Sequence, residues 1–125
     1  MTHKTVLLVE DEMFVALDIQ MTLEDEGWQV SGPFASTHEA LEFLETNTVD
    51  CAILDVRLTD GEVFPVADRL TSSGIPFVFH SGHANPSKLE RDYPQSLVCQ
   101  KPCHPTALVE KLTGFTATGG VALVS

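Results

Sequence analysis

Short apolar runs of strand length alternate with segments of helical periodicity along nearly the whole chain. Continuous apolar runs, such as residues 6–9 and 51–54, are typical of strands that are covered on both faces. Strands that alternate with helices favour βαβ units, a parallel sheet and helices on both faces of that sheet. The pattern therefore predicts an α/β domain with a doubly wound, five-stranded sheet.

The predicted elements follow one another without a linker or an internal repeat. We predict strands at residues 6–9, 29–31, 51–54, 76–79 and 96–99. We predict helices at about residues 13–26, 37–45, 62–70, 87–92 and 105–112, the second capped by Ser36 or Thr37. The fourth helix should be short and mobile because prolines flank it. The chain is thus one domain, 1–125, with its core at about 5–112 and a loose, Thr- and Gly-rich tail at 113–125.

The charge of the chain limits its partners. It carries 18 Asp and Glu against 7 Lys and Arg among 125 residues, a formal net charge of -11. Nucleic acids and anionic lipids bind mainly through basic patches, so we expect neither to be a partner. We find no apolar run of membrane-spanning length and no signal peptide. Together with cysteines that we expect to be reduced, this predicts a cytoplasmic protein.

Polar residues follow the predicted strands at the points where the strands end. Ligands of open α/β sheets bind at the carboxyl ends of the strands. The candidate site residues after strands one, three, four and five are Glu10, Asp11 and Glu12; Asp55; His80, Ser81 and Gly82; and Lys101 and Pro102. This edge of the sheet would hold carboxylates, a hydroxyl and an ammonium group.

Each of these groups has a use in phosphoryl transfer. Magnesium prefers oxygen ligands, usually one or two carboxylates with water and phosphate. An aspartate can attack phosphorus, and a lysine or a hydroxyl can stabilise the charge on the transferring group. Asp55 ends a buried apolar run, where an idle carboxylate would be costly. We interpret Glu12 as an acid of the first helical turn, and Asp60 and Glu62 as loop or cap residues.

Four short motifs resemble the receiver domains of bacterial two-component response regulators. They are Val9-Glu10-Asp11-Glu12, Ile53-Leu54-Asp55-Val56, Ser81-Gly82 and Gln100-Lys101-Pro102, in the order and spacing of the family over about residues 5–112. The resemblance implies a flavodoxin-like sheet in the order 2-1-3-4-5. It also implies a phosphoryl-accepting signalling domain and not a true enzyme.

The resemblance further implies roles for individual residues. Asp55 would accept the phosphoryl group from a sensor histidine kinase or a phosphotransfer protein. Mg²⁺ would be held by Glu10, Asp11, Asp55 and the backbone carbonyl of Arg57. Ser81 and Lys101 would bind the phosphoryl oxygens, and Pro102 would shape the turn that follows.

The segment Phe77-Val78-Phe79-His80-Ser81-Gly82 resembles a subgroup of mostly stand-alone receivers with a Phe-Ala-Thr-Gly signature, which frequently work with kinases of the HWE type. Here His80 replaces the alanine and Ser81 replaces the threonine. Many receivers carry an aromatic switch residue three positions before the lysine, where this chain has Val98. We therefore expect the signal to leave through Ser81, the loop after it and the fourth helix.

The histidines and cysteines near strands four and five suggest a different metal site. His80, His83, Cys99, Cys103 and His104 would lie on neighbouring strand ends and could bind zinc or another soft metal. Their spacing matches no compact zinc motif, and Cys99 should point into the core as a reduced thiol, as should Cys51. A transition-metal site is therefore a weaker prediction than the magnesium site. His83 should line the mouth of the phosphorylation site, where it could affect dephosphorylation.

The first helix has two apolar stripes on nearly opposite sides. Val15, Ile19 and Leu23 form one, and Phe14, Leu17 and Met21 form the other. Only one stripe can face the sheet. The other either packs against the last helix or binds the helices of a kinase or phosphotransfer protein.

The function that we predict is a single-domain response regulator that is phosphorylated on Asp55 and acts on another protein, or that serves as a phosphate shuttle or sink. One alternative is an unphosphorylated scaffold with the receiver fold. Another is a magnesium-dependent phosphatase of the haloacid dehalogenase type. That family needs a second aspartate two residues after the nucleophile, where this chain has Arg57.

Overall fold

The computed structural model describes residues 4–82 and 84–117, the last three of them by their backbone alone. Its strands are β1 (Thr5–Val9), β2 (Gln29–Phe34), β3 (Cys51–Asp55), β4 (Arg57–Leu58), β5 (Gly61–Glu62), β6 (Phe77–Ser81) and β7 (Ser96–Gln100). Its helices are α1 (Met13–Asp25), α2 (Thr37–Thr46), α3 (Phe64–Ser72), α4 (Pro86–Asp92) and α5 (Pro105–Ala117). No helix in this part of the chain is long and apolar enough to cross a membrane.

Five of the strands form one parallel sheet in the order β2-β1-β3-β6-β7. Counted without the small β4–β5 hairpin, this is the predicted order 2-1-3-4-5. The prediction of a flavodoxin-like, doubly wound sheet is therefore confirmed. The sheet order reverses between β1 and β3, and their carboxyl ends form the crevice where ligands bind in such folds.

The sheet is covered on both faces, which explains its continuous apolar strands. On one face, Val6, Leu8, Ile53 and Val78 pack with residues of α1 and α5. On the other face, Leu7, Leu54, Phe77 and Phe79 pack with residues of α2, α3 and α4. Because successive strand residues point to opposite faces, each strand contributes to both cores.

Two helix boundaries differ from the prediction. Helix α3 begins at Phe64 and not near Glu62, since Glu62 pairs with Arg57 in the β4–β5 hairpin. This hairpin gave no periodic signal because its strands have two residues each. Helix α5 continues to Ala117, so the tail predicted to be loose from Thr113 is helical in its first part. Residues 118–125 lie outside the described part of the chain.

The other elements lie close to their predicted positions. Helix α2 has Ser36 as its N-cap, and the Ser36 hydroxyl accepts a hydrogen bond from the Glu39 N–H. Strand β2 is longer than predicted, reaching Phe34 through a cis Gly32–Pro33 bond. Helix α4 is short, as predicted, and buries Leu89 against the sheet.

Candidate functional site: an acidic pocket at the strand ends

The register of the sheet lines up the residues of the site. Leu8, Ile53 and Val78 are neighbours across β1, β3 and β6, and all three face α1 and α5. Two residues further on, these strands reach Glu10, Asp55 and His80, of which Asp55 and His80 are register partners. Since side chains two residues apart share a face, the three polar side chains form a row across the sheet.

Three carboxylates meet at one end of this row. Glu10, Asp11 and Asp55 each supply one oxygen atom, and these atoms lie within 4.8 Å of one another. Glu10 and Asp55 are 3% and 6% exposed, so both carboxylates are largely withdrawn from water. The second Glu10 oxygen, Oε2, accepts a hydrogen bond from the Glu12 N–H at 3.1 Å. This bond fixes one side of the carboxylate at the start of α1.

Lys101 brings a positive charge to the carboxylates from the end of β7. Its Nζ lies 3.4 Å from Asp55 Oδ2, 3.7 Å from Glu10 Oε1 and 3.6 Å from Glu12 Oε1. The Lys101 N–H donates to the Ser81 carbonyl at 2.7 Å, and the peptide bond to Pro102 is cis. Burial lowers the pKa of Lys101, but the carboxylates of Glu10, Asp55 and Glu12 raise it above its ordinary value. The ammonium group therefore stays charged at neutral pH.

The two buried carboxylates have different proton affinities. Burial, with the nearby Glu10 and Asp11, raises the pKa of Asp55 to about 7, although Lys101 opposes this. Burial acts to raise the pKa of Glu10, but the nearby His80, Asp55 and Glu12 N–H, together with the charge of Lys101, outweigh it, so that the pKa of Glu10 lies below its ordinary value. The pocket thus favours one proton on Asp55 while no cation is present.

Ser81 and Arg57 complete the wall of the pocket. A cavity of about 290 Å³ is lined by Asp11, Glu12, Asp55, Arg57, Ser81, Gly82 and Lys101. The Ser81 hydroxyl accepts a hydrogen bond from the Ala84 N–H at 3.0 Å, which links it to the loop before α4. All the predicted site residues of the pocket are therefore within one small region. His83 lies outside the described residues.

The donor set of the pocket fits Mg²⁺. All the candidate ligands are oxygen atoms, and three carboxylates carry enough negative charge to bind a divalent cation. Burial is the main cause of the raised pKa of Asp55, and the charges of Glu10 and Asp11 add to it; a cation would offset these charges.

The cysteines differ from the prediction. Cys99 and Cys103 form a disulfide, so the expectation of a reduced Cys99 thiol is wrong; its side chain does lie in the core, as expected. Four intervening peptide bonds bring the end of β7 back to the start of α5, close enough for the bond to form. Cys51 is a buried free thiol, and burial raises its pKa. With both sulfurs bonded to each other, Cys99 and Cys103 offer no thiolate to the predicted transition-metal site.

The structure also places the three acidic residues that were predicted to be cap, loop or helix residues. The Asp60 carboxylate accepts hydrogen bonds from the N–H groups of Thr37 and His38. This confirms Asp60 as a cap residue, although it caps α2 from another part of the chain. Glu62 lies in the hairpin, and Glu12 immediately precedes α1 with its carboxylate beside Lys101.

Helix α1 leaves an apolar patch exposed next to the pocket. Ile19 and Leu23 face the sheet, as one of the two predicted stripes required, and Val15 is partly buried. Helix α1 contacts α5, but Phe14, Leu17 and Met21 stay 84%, 42% and 63% exposed. The interpretation that α5 covers them is thus wrong. We call Phe14, Leu17 and Met21 the α1 patch.

Sequence reasoning missed one feature of the site, the contact of His80 with Glu10. His80 Nδ1 lies 3.7 Å from Glu10 Oε1, and both side chains are almost completely buried. The prediction placed His80 at a strand end and gave it a role only in the weaker hypothesis of a soft-metal site. The signal that could have found the contact is the register, which puts His80 in the same row as Glu10 and Asp55.

Comparisons with known proteins agree with the fold. The transcriptional regulatory protein PdtaR of Mycobacterium tuberculosis is 28% identical over 89 residues, which are 70% of this chain and 43% of PdtaR. The chain thus spans less than half the length of this relative. A CheY-like receiver domain protein from Methanospirillum hungatei JF-1 has the same fold, with a TM-score of 0.81 at 24% identity over 90% of this chain and 93% of that one.

A further match is SdrG from Sphingomonas melonis Fr1, which is 31% identical with a TM-score of 0.74 and covers 90% of this chain and 97% of its own. SdrG in its BeF3-activated conformation, from Pseudomonas melonis Fr1, matches with 32% identity and a TM-score of 0.70. The family model described as the response regulator receiver domain matches residues 6–113. The row of Glu10, Asp55 and His80 therefore lies in a chain that belongs to the response regulator receiver domain family.

Proposed function

We propose that Asp55 accepts a phosphoryl group from a phosphohistidine in a Mg²⁺-dependent reaction. The observation that carries this proposal is the convergence of three carboxylates and the Lys101 ammonium group on one buried pocket, with Asp55 in contact with Lys101. Asp55 is the residue of this set that ends a central strand and also lines the open cavity.

The transfer needs a nucleophile and stabilisation of charge. A bond forms between an Asp55 oxygen and phosphorus while the phosphorus–nitrogen bond of the donor breaks, and the electron pair goes to the imidazole of the donor. Lys101 can stabilise negative charge on the oxygens of the incoming phosphoryl group, because its Nζ lies 3.4 Å from Asp55 Oδ2. The Ser81 hydroxyl, in the same cavity wall, is placed to donate to a phosphoryl oxygen.

Glu10, Asp11, Asp55 and the backbone carbonyl of Arg57 would hold the cation. A bound Mg²⁺ supplies charge neutralisation between the carboxylates and the phosphoryl oxygens. The protein contributes a pocket in which burial, and after it Glu10 and Asp11, raise the pKa of Asp55 to about 7, so a cation bound there would favour the ionised nucleophile.

Intact mass spectrometry with acetyl phosphate tests the proposal. We expect a gain of one phosphoryl group in Mg²⁺, no gain in EDTA, and competition by beryllofluoride. Asp55→Asn should abolish uptake, and the matched control Asp60→Asn should leave it unchanged because Asp60 caps α2 outside the pocket. Uptake by Asp55→Asn at the wild-type rate would reject Asp55 as the acceptor.

The phosphoryl donor is a sensor histidine kinase, in our proposal of the HWE type, or a phosphotransfer protein, and it docks on the α1 patch. The patch begins within four residues of Glu10, so a helix bound there lies beside the pocket. Large exposed apolar side chains in a chain with a net charge of -11 indicate an interface. The strand-four segment Phe77–Gly82, with its partial likeness to the Phe-Ala-Thr-Gly subgroup, supports the choice of kinase type.

Paired substitutions separate docking from chemistry. Phe14→Ser with Met21→Ser should slow phosphorylation by a phosphotransfer protein or kinase about tenfold and spare phosphorylation by acetyl phosphate. Glu42→Ser on exposed α2 is the control and should change neither rate. Equal loss of both reactions in the double variant would remove the α1 patch from the proposal.

Among the alternatives, the scaffold is the stronger. A scaffold with the receiver fold has no use for an ammonium group in contact with a buried carboxylate, since the pair costs desolvation energy without adding to the core. A phosphatase of the haloacid dehalogenase type would need a carboxylate at Arg57, whose side chain is exposed. The phosphorylation assay decides between the proposal and the scaffold.

A further inference from the structure

His80 is buried beside the metal pocket without a hydrogen-bond partner. Among the described residues, the buried side-chain nitrogen and oxygen atoms without a hydrogen bond are both ring nitrogens of His80 and Oε1 of Glu10. Buried polar atoms are almost always paired, so such a group needs an explanation. Here the unpaired atoms belong to two neighbouring side chains, a potential donor and an acceptor.

These two side chains are slightly too far apart for a hydrogen bond, and a small side-chain rotation would close the gap. His80 Nδ1 lies 3.7 Å from Glu10 Oε1, and the two side chains are 4% and 1% exposed. In the sheet, the register partners of His80 are Asp55 on β3 and Cys99 on β7, so their side chains lie on the same face as the imidazole. Among the described residues, the unpaired buried oxygen that faces the imidazole is Glu10 Oε1.

Glu10 Oε1 also has a competing cation. Lys101 Nζ lies at the same distance from this oxygen, 3.7 Å, while its contact with Asp55 is shorter at 3.4 Å. If Lys101 took Glu10 as its close partner, the ammonium group would move away from Asp55. If His80 donates a hydrogen bond to Glu10 Oε1, that oxygen is already occupied, and Lys101 keeps Asp55 as its close partner.

We propose that His80 is a positioning residue whose Nδ1–H holds Glu10 Oε1, which orients Glu10 towards Asp11 and Asp55 and keeps Lys101 on Asp55. Together with the Glu12 N–H on Oε2, this bond would hold both oxygens of Glu10. The inference rests on the proposed function only in taking the carboxylate pocket as the Mg²⁺ site. Partners of ligating groups of this kind typically change metal affinity by 10- to 100-fold when they are removed.

Mg²⁺ titration of three variants tests the role. His80→Ala removes the donor and should weaken Mg²⁺ binding about tenfold by isothermal titration calorimetry. His80→Asn puts an amide nitrogen near the place of Nδ1 and should restore the affinity to within about threefold of wild type, a rescue that a purely space-filling role would not give. His38→Ala, which changes a histidine 82% exposed on α2, should bind as wild type does.

Nitrogen-15 NMR of the metal-free wild type gives a readout that needs no variant and no phosphoryl transfer. We expect His80 to carry its proton on Nδ1, with a coupling or shift that reports a hydrogen bond to Glu10. A neutral ring with the proton on Nε2, or a folded His80→Ala that binds Mg²⁺ as wild type does, overturns the proposal. If Mg²⁺ binds but Asp55 takes up no phosphoryl group, the proposed function fails while the His80 test still stands.

Discussion

Lys101 Nζ lies 3.4 Å from Asp55 Oδ2, so the ammonium group at the end of β7 reaches past β6 to the carboxylate at the end of β3. The β6 backbone supports this reach, since the Lys101 N–H donates to the Ser81 carbonyl. One contact thus ties together three strand ends of the sheet. It also leaves Asp55 with one cation against two neighbouring carboxylates.

The excess of carboxylates predicts that Asp55→Asn stabilises the metal-free protein at pH 8. Burial and its acidic neighbours raise the pKa of Asp55 to about 7. Between the unfolded value of about 4 and pH 7, the folded state therefore binds more protons than the unfolded state, and the Asp55 contribution to stability falls as the pH rises. Asparagine does not ionise, so it does not lose this stability as the pH rises.

Urea denaturation in EDTA at pH 5 and pH 8 measures this effect. The variant should be more stable than wild type at pH 8, and the gain should shrink towards pH 5, where wild-type Asp55 is protonated. A gain of the same size at both pH values would mean that charge at Asp55 is not its cause.

Mg²⁺ should stabilise the wild-type fold because it binds the folded state. At a concentration 100 times the dissociation constant, the free energy of unfolding should rise by about 2.7 kcal/mol. Asp11→Asn removes one carboxylate of the cluster and should remove most of this gain, whereas Asp60→Asn should keep it. Thermal unfolding with increasing Mg²⁺ measures the three responses, and an equal response of Asp11→Asn would place the cation elsewhere.

The large elements and the site residues could be predicted because they depend on local patterns. A buried strand such as Cys51–Asp55 is read from its apolar run, and the polar residue after it is then placed at the strand end. The β4–β5 hairpin could not be predicted because its two-residue strands give no periodic signal, and the helix that Asp60 caps could not be predicted because the two are brought together by the fold. The same holds for His80, whose contact with Glu10 depends on side-chain direction across β1, β3 and β6.

The Asp60 cap makes a pH-dependent contribution to stability. Hydrogen bonds from the Thr37 and His38 N–H groups lower the pKa of the Asp60 carboxyl. The contribution is therefore present above about pH 4 and is lost as the pH falls through the lowered pKa of the folded state. Asp60→Ala should lower the urea midpoint at pH 7 and have a smaller effect at pH 3. An effect that grows in acid would contradict the cap.

Tyr93 anchors the end of α4 through its ring more than through its hydroxyl. The ring contacts those of Phe64, Phe77 and Phe79, with centroids 5.8, 6.0 and 5.4 Å away, and the hydroxyl donates to Asp68 at 2.8 Å. Tyr93→Phe should cost about 0.5–1 kcal/mol, the usual net value of one such bond. Tyr93→Ala should cost about 3 kcal/mol. Urea denaturation measures both, and similar costs would show that the hydroxyl carries the anchoring.

The Cys99–Cys103 disulfide predicts how many thiols the protein presents to an alkylating reagent. Cys51 is buried and free, whereas Cys99 and Cys103 are bonded. Under denaturing, non-reducing conditions, iodoacetamide should therefore add one group to the chain, and after reduction it should add three. The Cys51→Ser variant should take up no group without reduction and two groups after it.

Because the disulfide spans the loop that carries Lys101, its reduction should also slow phosphorylation by acetyl phosphate, about twofold or more. Three additions without reduction would show that the oxidised pair does not form in solution.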